Sequence, residues 1–288
     1  MLLDREMCCF GYIYKMKINI CIILLFLCTI TQIIGQDATE QWDGYMASYE
    51  DGLPGSTTLR MDLIHEAPIE NLSYVLVTGI TYETAREDGL PEEDTFVILH
   101  KIGDELIEII SQETEFLPVG SFTHHKERLE YYYIKAPKKL KEKLERFYKK
   151  NYANYIHYIN IKEDKNWGYY IDFLYPNEDI QNYMGNESVV RNLEAAGDNL
   201  TKKRRVDHWL YFSSETDLKQ CEDELLKRGF TVEFSGVNKE SSMPYELQIW
   251  RIDLVDLDSI YPITTELRTI AKKNNGTYDG WDTTVERE

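Results

Sequence analysis

The sequence predicts an α+β chain made of two β-α-β-β-α-β units in tandem behind a short apolar leader. Three observations carry that prediction. Strand-period and helix-period apolar patterns follow one another in the same order twice along the chain. Hydrophobic residues make up 43% of the 288, with 21 tyrosines, enough to bury two cores of ordinary size. Four of the five cysteines fall in the first 28 residues, so neither a disulfide framework nor a cysteine-rich zinc site organises the rest. The fifth, Cys221, sits on a helical apolar stripe and reads as a core residue.

Met16 and Lys17 precede an apolar run from Ile18 to about Ile34 and a small residue, Gly35. That pattern resembles a secretory signal cleaved near Gly35 or Gln36. Asp4 and Glu6 suit a signal start poorly, which makes Met16 the better initiator. Residues 1–36 are therefore expected to be a signal peptide or N-terminal apolar segment. Cleavage would put the protein in the periplasm or outside the cell. Without cleavage, 18–34 would be its only membrane contact, as an N-terminal anchor at the lower limit of length for a span.

The first domain is expected over 37–177. Trp42, Tyr45 and Tyr49 form an opening hairpin with the segment after the turn cluster Glu50 to Ser56, where Leu59, Met61 and Leu63 alternate as in a strand. Tyr74 to Tyr82 is a continuous apolar strand. Gly89-Leu90-Pro91-Glu92-Glu93-Asp94 opens a helix, with acids placed to meet the helix dipole. Strands over Phe116 to Thr123 and Leu129 to Ala136, a helix from Pro137 to Tyr152 and a strand from Tyr155 to Ile161 complete the unit. Beyond the hairpin this is the split order of a ferredoxin-like fold.

The second domain is expected over 178–288, after a linking helix from Asp179 to Leu193. A polar loop with Lys202, Lys203, Arg204 and Arg205 leads into a dense strand, Val206 to Phe212. Alternation puts Val206, His208, Leu210 and Phe212 on one face and Asp207, Trp209 and Tyr211 on the other. Ser213 to Asp217 caps a helix bearing Leu218, Cys221, Leu225 and Leu226, which Gly229 ends. Strands over Thr231 to Ser235 and Leu247 to Val255 follow. A helix from Ser259 to Asn274 has Asp258 before it, Pro262 in its first turn and Gly276 after it. A closing strand carries Tyr278, with Asp279-Gly280 reading as a tight turn. The order is again ferredoxin-like, and in such a fold two helices cover one sheet face and leave the other open.

Charge limits the function. The net charge is −18, with 15 basic against 26 acidic residues over 37–177 and 14 against 22 over 178–288. Neither half is basic, which argues against direct nucleic-acid binding. The run Lys135 to Lys150 reads as a solvated helix face. His124-His125 reads as a loop pair and not a metal site, because no carboxylate or cysteine lies at ligand spacing around it. Asp207 and His208 point to opposite faces and cannot form a catalytic pair. The Asn-x-Ser/Thr sequons at Asn71, Asn186, Asn199 and Asn275 are no more than chance supplies. No catalytic residue, metal or cofactor is expected. The candidate partner-binding set is Trp209, Tyr211 and Asp207, with Trp250 on the neighbouring strand and Lys202, Lys203, Arg204 and Arg205 at the rim.

Gly197-Asp198-Asn199-Leu200, Arg204 to Phe212, Gly229-Phe230 and Tyr278-Asp279-Gly280-Trp281 together resemble the RraB family, regulators of ribonuclease E activity. The likeness spans about 190–288. It implies an acidic, cytoplasmic, ferredoxin-like protein that binds ribonuclease E and inhibits it by protein contact, without catalytic residues. Trp42, Gly52, Pro54, Gly89-Leu90-Pro91, Arg128 to Tyr132 and Trp167 to Pro176 resemble a domain of unknown function often fused to such inhibitors. The reading is thus a non-enzymatic protein-binding regulator. The alternatives are an exported hydrolase with a site between the two domains, and an open-sheet nucleic-acid binder.

Overall fold

The computed structural model describes residues 40–137, 139–238 and 243–287. Its first sheet contains β1 (Trp42–Ser48), β2 (Pro54–Arg60), β3 (Tyr74–Thr81), β4 (Phe116–His124), β5 (Glu127–Ile134) and β6 (His157–Glu163). They lie in the order β1-β2-β4-β5-β3-β6, and every pair is antiparallel. Strands β3 and β4 therefore run the same way with β5 between them. Helices α1 (Glu93–Ser111) and α2 (Leu140–Asn151) make the two long connections.

Both faces of this sheet are buried. On one, Leu76, Ile80, Tyr132 and Ile134 meet Leu99, Ile102 and Leu106 of α1 and Leu140, Leu144 and Phe147 of α2. On the other, Val75, Val77, Tyr131 and Tyr133 lie under a single π-turn, Tyr169–Leu174. Trp167 stacks on Tyr133 with ring centroids 4.0 Å apart and donates its Nε1–H to the Leu72 carbonyl at 2.9 Å. The Tyr170 hydroxyl donates to the Arg60 carbonyl at 2.6 Å.

The predicted strand through Met61 and Leu63 is corrected here. Strand β2 stops at Arg60, and Asp62–His65 coil into a 3-10 turn in which Asp62 accepts from the Arg60 guanidinium. Leu59 and Leu63 are both buried all the same. Apolar alternation reported burial correctly but could not distinguish a strand from one tight turn.

The second sheet contains β7 (Arg204–Phe212), β8 (Thr231–Val237), β9 (Tyr245–Asp253) and β10 (Gly276–Thr283), in the antiparallel order β10-β7-β9-β8. Helices α4 (Glu215–Leu226) and α5 (Leu257–Lys273) join β7 to β8 and β9 to β10. The caps follow from local chemistry. Ser214 Oγ accepts from the Asp217 N–H at 3.2 Å, and Gly229 takes a φ of 84° so that the Phe230 N–H reaches the Leu225 carbonyl.

Three details of this unit differ from expectation. Asp256 caps α5 by accepting from the Ser259 N–H, so Pro262 falls in the second turn. Asn275, with φ 53°, makes the left-handed step after α5. Gly276 instead opens β10, where a Cβ would sit 2.4 Å from the Phe212 ring. Asp279-Gly280 is no tight turn but a β-bulge, with register shifting between Tyr278 and Gly280. The extra residue turns both Tyr278 and Trp281 toward the helices, which an unbroken strand would point to opposite faces.

Between the sheets runs α3 (Glu178–Ala195), capped by Asn177. Val190 and Leu193 join Val206, Val255, Ile260 and Trp281 in the second unit's core. Met184 reaches the first unit's core, which includes Tyr45 and Leu174. Among the described residues no helix is long and apolar enough to cross a membrane. The leader and its expected signal lie outside the described residues.

Candidate functional site

Strand β7 is buried at every second residue from Arg204 to Phe212, while Arg205 is exposed and Asp207, Trp209 and Tyr211 are part-exposed. Helices α4 and α5 pack on the buried face. Register then builds the opposite face row by row: Tyr211 lies between Thr277 and Glu246, Trp209 between Gly280 and Gln248, and Asp207 between Asp282 and Trp250. Phe234 and Ile252, 43% and 51% exposed, extend it to the edge. Among the described residues no helix covers this face, in contrast to the first sheet.

Its electrostatics are acidic. The Arg205 guanidinium lies 4.8 Å over the Trp250 ring and pairs with Asp207 at 2.6 Å and Glu233 at 2.9 Å. Gln248 donates to Asp207 at 3.3 Å. Asp282 stands opposite Asp207, and its carboxyl is pushed up by burial and by that neighbour's charge. Among the described residues no positive groove runs across Trp209 and Tyr211.

The four basic residues before β7 separate. Lys202 and Lys203 are exposed, with the Lys202 ammonium donating to the Arg287 carbonyl at 3.1 Å. Arg205 faces Trp250. Arg204 is buried and leaves the rim set: its guanidinium forms a two-pronged pair with Asp198 and donates to the Lys202 and Thr284 carbonyls. A strand that begins two residues earlier than predicted puts Arg204 in phase with Val206, on the helix side. Asp198 also accepts from the Leu200 and Glu286 N–H groups, and Arg204 first, then those bonds, hold its carboxyl far below the usual range. Asp198 was missed as a functional partner, since its likeness to the family motif did not say what it binds.

Beneath the face, His208 is fully buried. Its Nδ1 meets the Tyr278 hydroxyl at 3.0 Å, while Nε2 has no hydrogen-bond partner among the described residues and the ring sits edge-on to Phe230. Burial, helped by Arg251, brings His208 down to about 3, so it is neutral. Cys221 lies in the same core, and burial pushes its thiol up to about 12.

The sequence reading also missed Asn186. It is buried, so its sequon is closed to modification. Its amide donates to Thr264 Oγ1 at 2.9 Å and its Oδ1 accepts the Trp281 indole N–H at 2.8 Å, which locks α3 to α5 and β10. Beside this lock, a cleft of about 690 Å³ is lined by Glu178, Gln181, Arg268, Lys272 and Thr277 to Trp281. It holds no histidine, and Lys272 holds Glu178 below its ordinary value. The basic run before and along α2 is partly offset by ion pairs of Lys135 with Glu115, Lys143 with Glu113 and Lys149 with Glu145.

With this geometry in place, comparison with known families adds two findings. Residues 184–283 match the family described as regulator of ribonuclease activity B. Residues 40–175 match a family of unknown function, DUF695. A search of curated proteins finds no match to the chain.

Proposed function

We infer that this chain is a non-enzymatic, protein-binding regulator that presents the open face of its second sheet to a partner. The C-terminal match to a family of ribonuclease regulators supports the regulatory class. The observation that carries the surface is the row of Trp209 and Tyr211 on β7 beside Trp250 on β9, part-exposed on a face that no helix covers among the described residues. Large aromatics contribute to interfaces out of proportion to their number. Asp207, Glu233, Glu246 and Asp282 outnumber Arg205 there, so the partner is a protein offering Lys or Arg. A stacked nucleic acid would call for the opposite charge. In this reading the chain divides into two domains near residue 177, and Lys202, Lys203 and Arg205 flank the face.

Ribonuclease E is the first partner to test, following the resemblance. An export signal over 1–36 would remove the chain from that enzyme and imply an extracytoplasmic protein partner on the same surface. The hydrolase alternative draws no support from the cleft beside α3, which holds no histidine.

The test is capture from native extract and direct binding to ribonuclease E, each with the wild type and with Trp209→Ala and Tyr211→Ala. Weaker partner binding with a nearly unchanged melting temperature is expected. Collapse of stability with affinity per folded molecule intact would overturn the reading.

A further inference from the structure

The turn of the β1–β2 hairpin and the turn of the β4–β5 hairpin meet at one corner of the first sheet. They meet because β2 pairs with β4, with Gly55 opposite His124. Gly55 is required for the approach: a Cβ there would lie 2.4 Å from the Tyr49 ring and 2.9 Å from that of Phe122. Asp51 comes from the first turn, His124 from the end of β4 and His125 from the second turn. Asp51 Oδ2 is 3.1 Å from His124 Nε2 and 3.3 Å from His125 Nδ1, and the three donor atoms all lie within 4.8 Å of one another.

The hydrogen bonds around this trio leave these atoms aimed at each other. His124 Nδ1 lies 3.1 Å from the Pro54 carbonyl, which can only accept, so Nδ1 carries the proton. His124 Nε2 then faces Asp51 Oδ2, and the second imidazole converges on the same oxygen, so two ring nitrogens and one carboxylate oxygen surround a single point. Asp51 uses Oδ1 to accept from the Leu53 N–H at 3.0 Å, which turns Oδ2 toward the imidazoles. His124 is further held by ring contacts with Tyr49 and Phe122. His125 and Lys126 both take left-handed backbone, φ 49° and 64°, a turn conformation that glycine and asparagine adopt more readily.

We propose that Asp51, His124 and His125 form a binding site for a late first-row divalent cation of the Zn²⁺ type. Two imidazoles and one carboxylate are the donors such ions prefer, and Mg²⁺ and Ca²⁺ require more oxygen. Tetrahedral zinc with bonds of about 2.0–2.1 Å separates its donors by roughly 3.3 Å. Two of the three separations, 3.1 and 3.3 Å, match that spacing, and the third is within 4.8 Å at an imidazole whose side chain is 70% exposed. The Pro54 carbonyl on His124 Nδ1 is the outer-shell contact that orients a ligating imidazole. With three protein ligands at a surface corner, the fourth position faces solvent. The ion would clip together two hairpins whose ligands are 73 residues apart.

The test is titration of metal-free full-length protein with ZnCl₂ by calorimetry and with CoCl₂ by visible spectroscopy, with MgCl₂ and CaCl₂ in parallel. The expected result is one Zn²⁺ per chain, tetrahedral Co²⁺ bands and no heat from Mg²⁺ or Ca²⁺. Asp51→Asn, His124→Ala and His125→Ala should each weaken Zn²⁺ by about tenfold or more, while His100→Ala, at a surface histidine elsewhere, changes nothing. Circular dichroism of metal-free variants confirms their fold. The proposal is overturned if folded His124→Ala/His125→Ala protein binds Zn²⁺ as the wild type does, or if the wild type binds none.

Discussion

Arg204 and Asp198 form a buried two-pronged ion pair that ties the loop before β7 to the C-terminal tail. Arg204 reaches the Thr284 carbonyl and Asp198 the Glu286 N–H, so three separate backbone segments converge on the pair. Removing one partner leaves the other charge buried without compensation. Asp198→Ala or Arg204→Ala is therefore expected to cost about 3–5 kcal/mol. The double variant should cost clearly less than the sum of the two. Urea unfolding of all four proteins checks this. Because Asp198 titrates below its unfolded value, the pair's contribution is full above about pH 4 and is lost as the pH falls below it.

His208 gives the fold a second acid sensitivity in a different window. Its folded value of about 3 lies below that of an unfolded histidine, near 6.5. Between the two the unfolded chain takes up a proton that the folded chain refuses. Stability is then full above about pH 6.5 and falls by roughly 1.4 kcal/mol per pH unit on acidification toward 3. The variant His208→Leu/Tyr278→Phe removes the pair together. The difference in unfolding free energy between pH 7 and pH 5 should shrink in that variant, and an unchanged slope would contradict the assignment.

The facing carboxylates Asp207 and Asp282 cost the free protein stability. The carboxyl of Asp282 is raised above its unfolded value, so its ionisation destabilises the fold as pH rises through that raised value. Asp282→Asn should stabilise by about 0.2–1 kcal/mol at neutral pH. The same change should weaken a basic protein partner. Melting curves and binding isotherms on one preparation measure both effects.

The lock between Asn186 and Trp281 holds α3 in place. Asn186→Leu leaves the Trp281 indole N–H without its acceptor, while the Thr264 hydroxyl keeps Tyr261 and Asn182, at a cost of about 1–3 kcal/mol. Hydrogen exchange should show faster exchange in α3 than in β7. Uniform change across the second sheet would mean that α3 is not a separately docked element.

Cys221 should stay unlabelled by thiol reagents in the native protein, because burial both hides its sulfur and keeps it protonated. Peptide mapping after alkylation, with and without denaturant, reads this directly. Labelling without denaturant would show that α4 opens readily.

Much of the architecture was legible from local pattern. The alternation Val206 to Phe212 assigned the two faces of β7, and Ser214 and Gly229 marked the ends of α4, because caps and pleats depend on residues a few positions apart. Arg204 was misplaced because a basic residue beside lysines looks solvated until its acid, six residues back, is seen to fold onto it. Asp279-Gly280 looked like a turn, since a bulge and a turn share residue types and differ only in what the neighbouring strand does.

Sequence by itself determined the α+β class, the repeated element order, the acidic balance and the aromatic strand. These rest on periodicity and composition, which survive without any long-range contact. Tertiary structure alone decided that Asn186 reaches Trp281, that Asp282 faces Asp207, and that Asp51 lies against His124 and His125. Each joins residues dozens of positions apart. Such pairs are set by strand register and helix docking, and those follow from the packing of whole faces and not from any local signal.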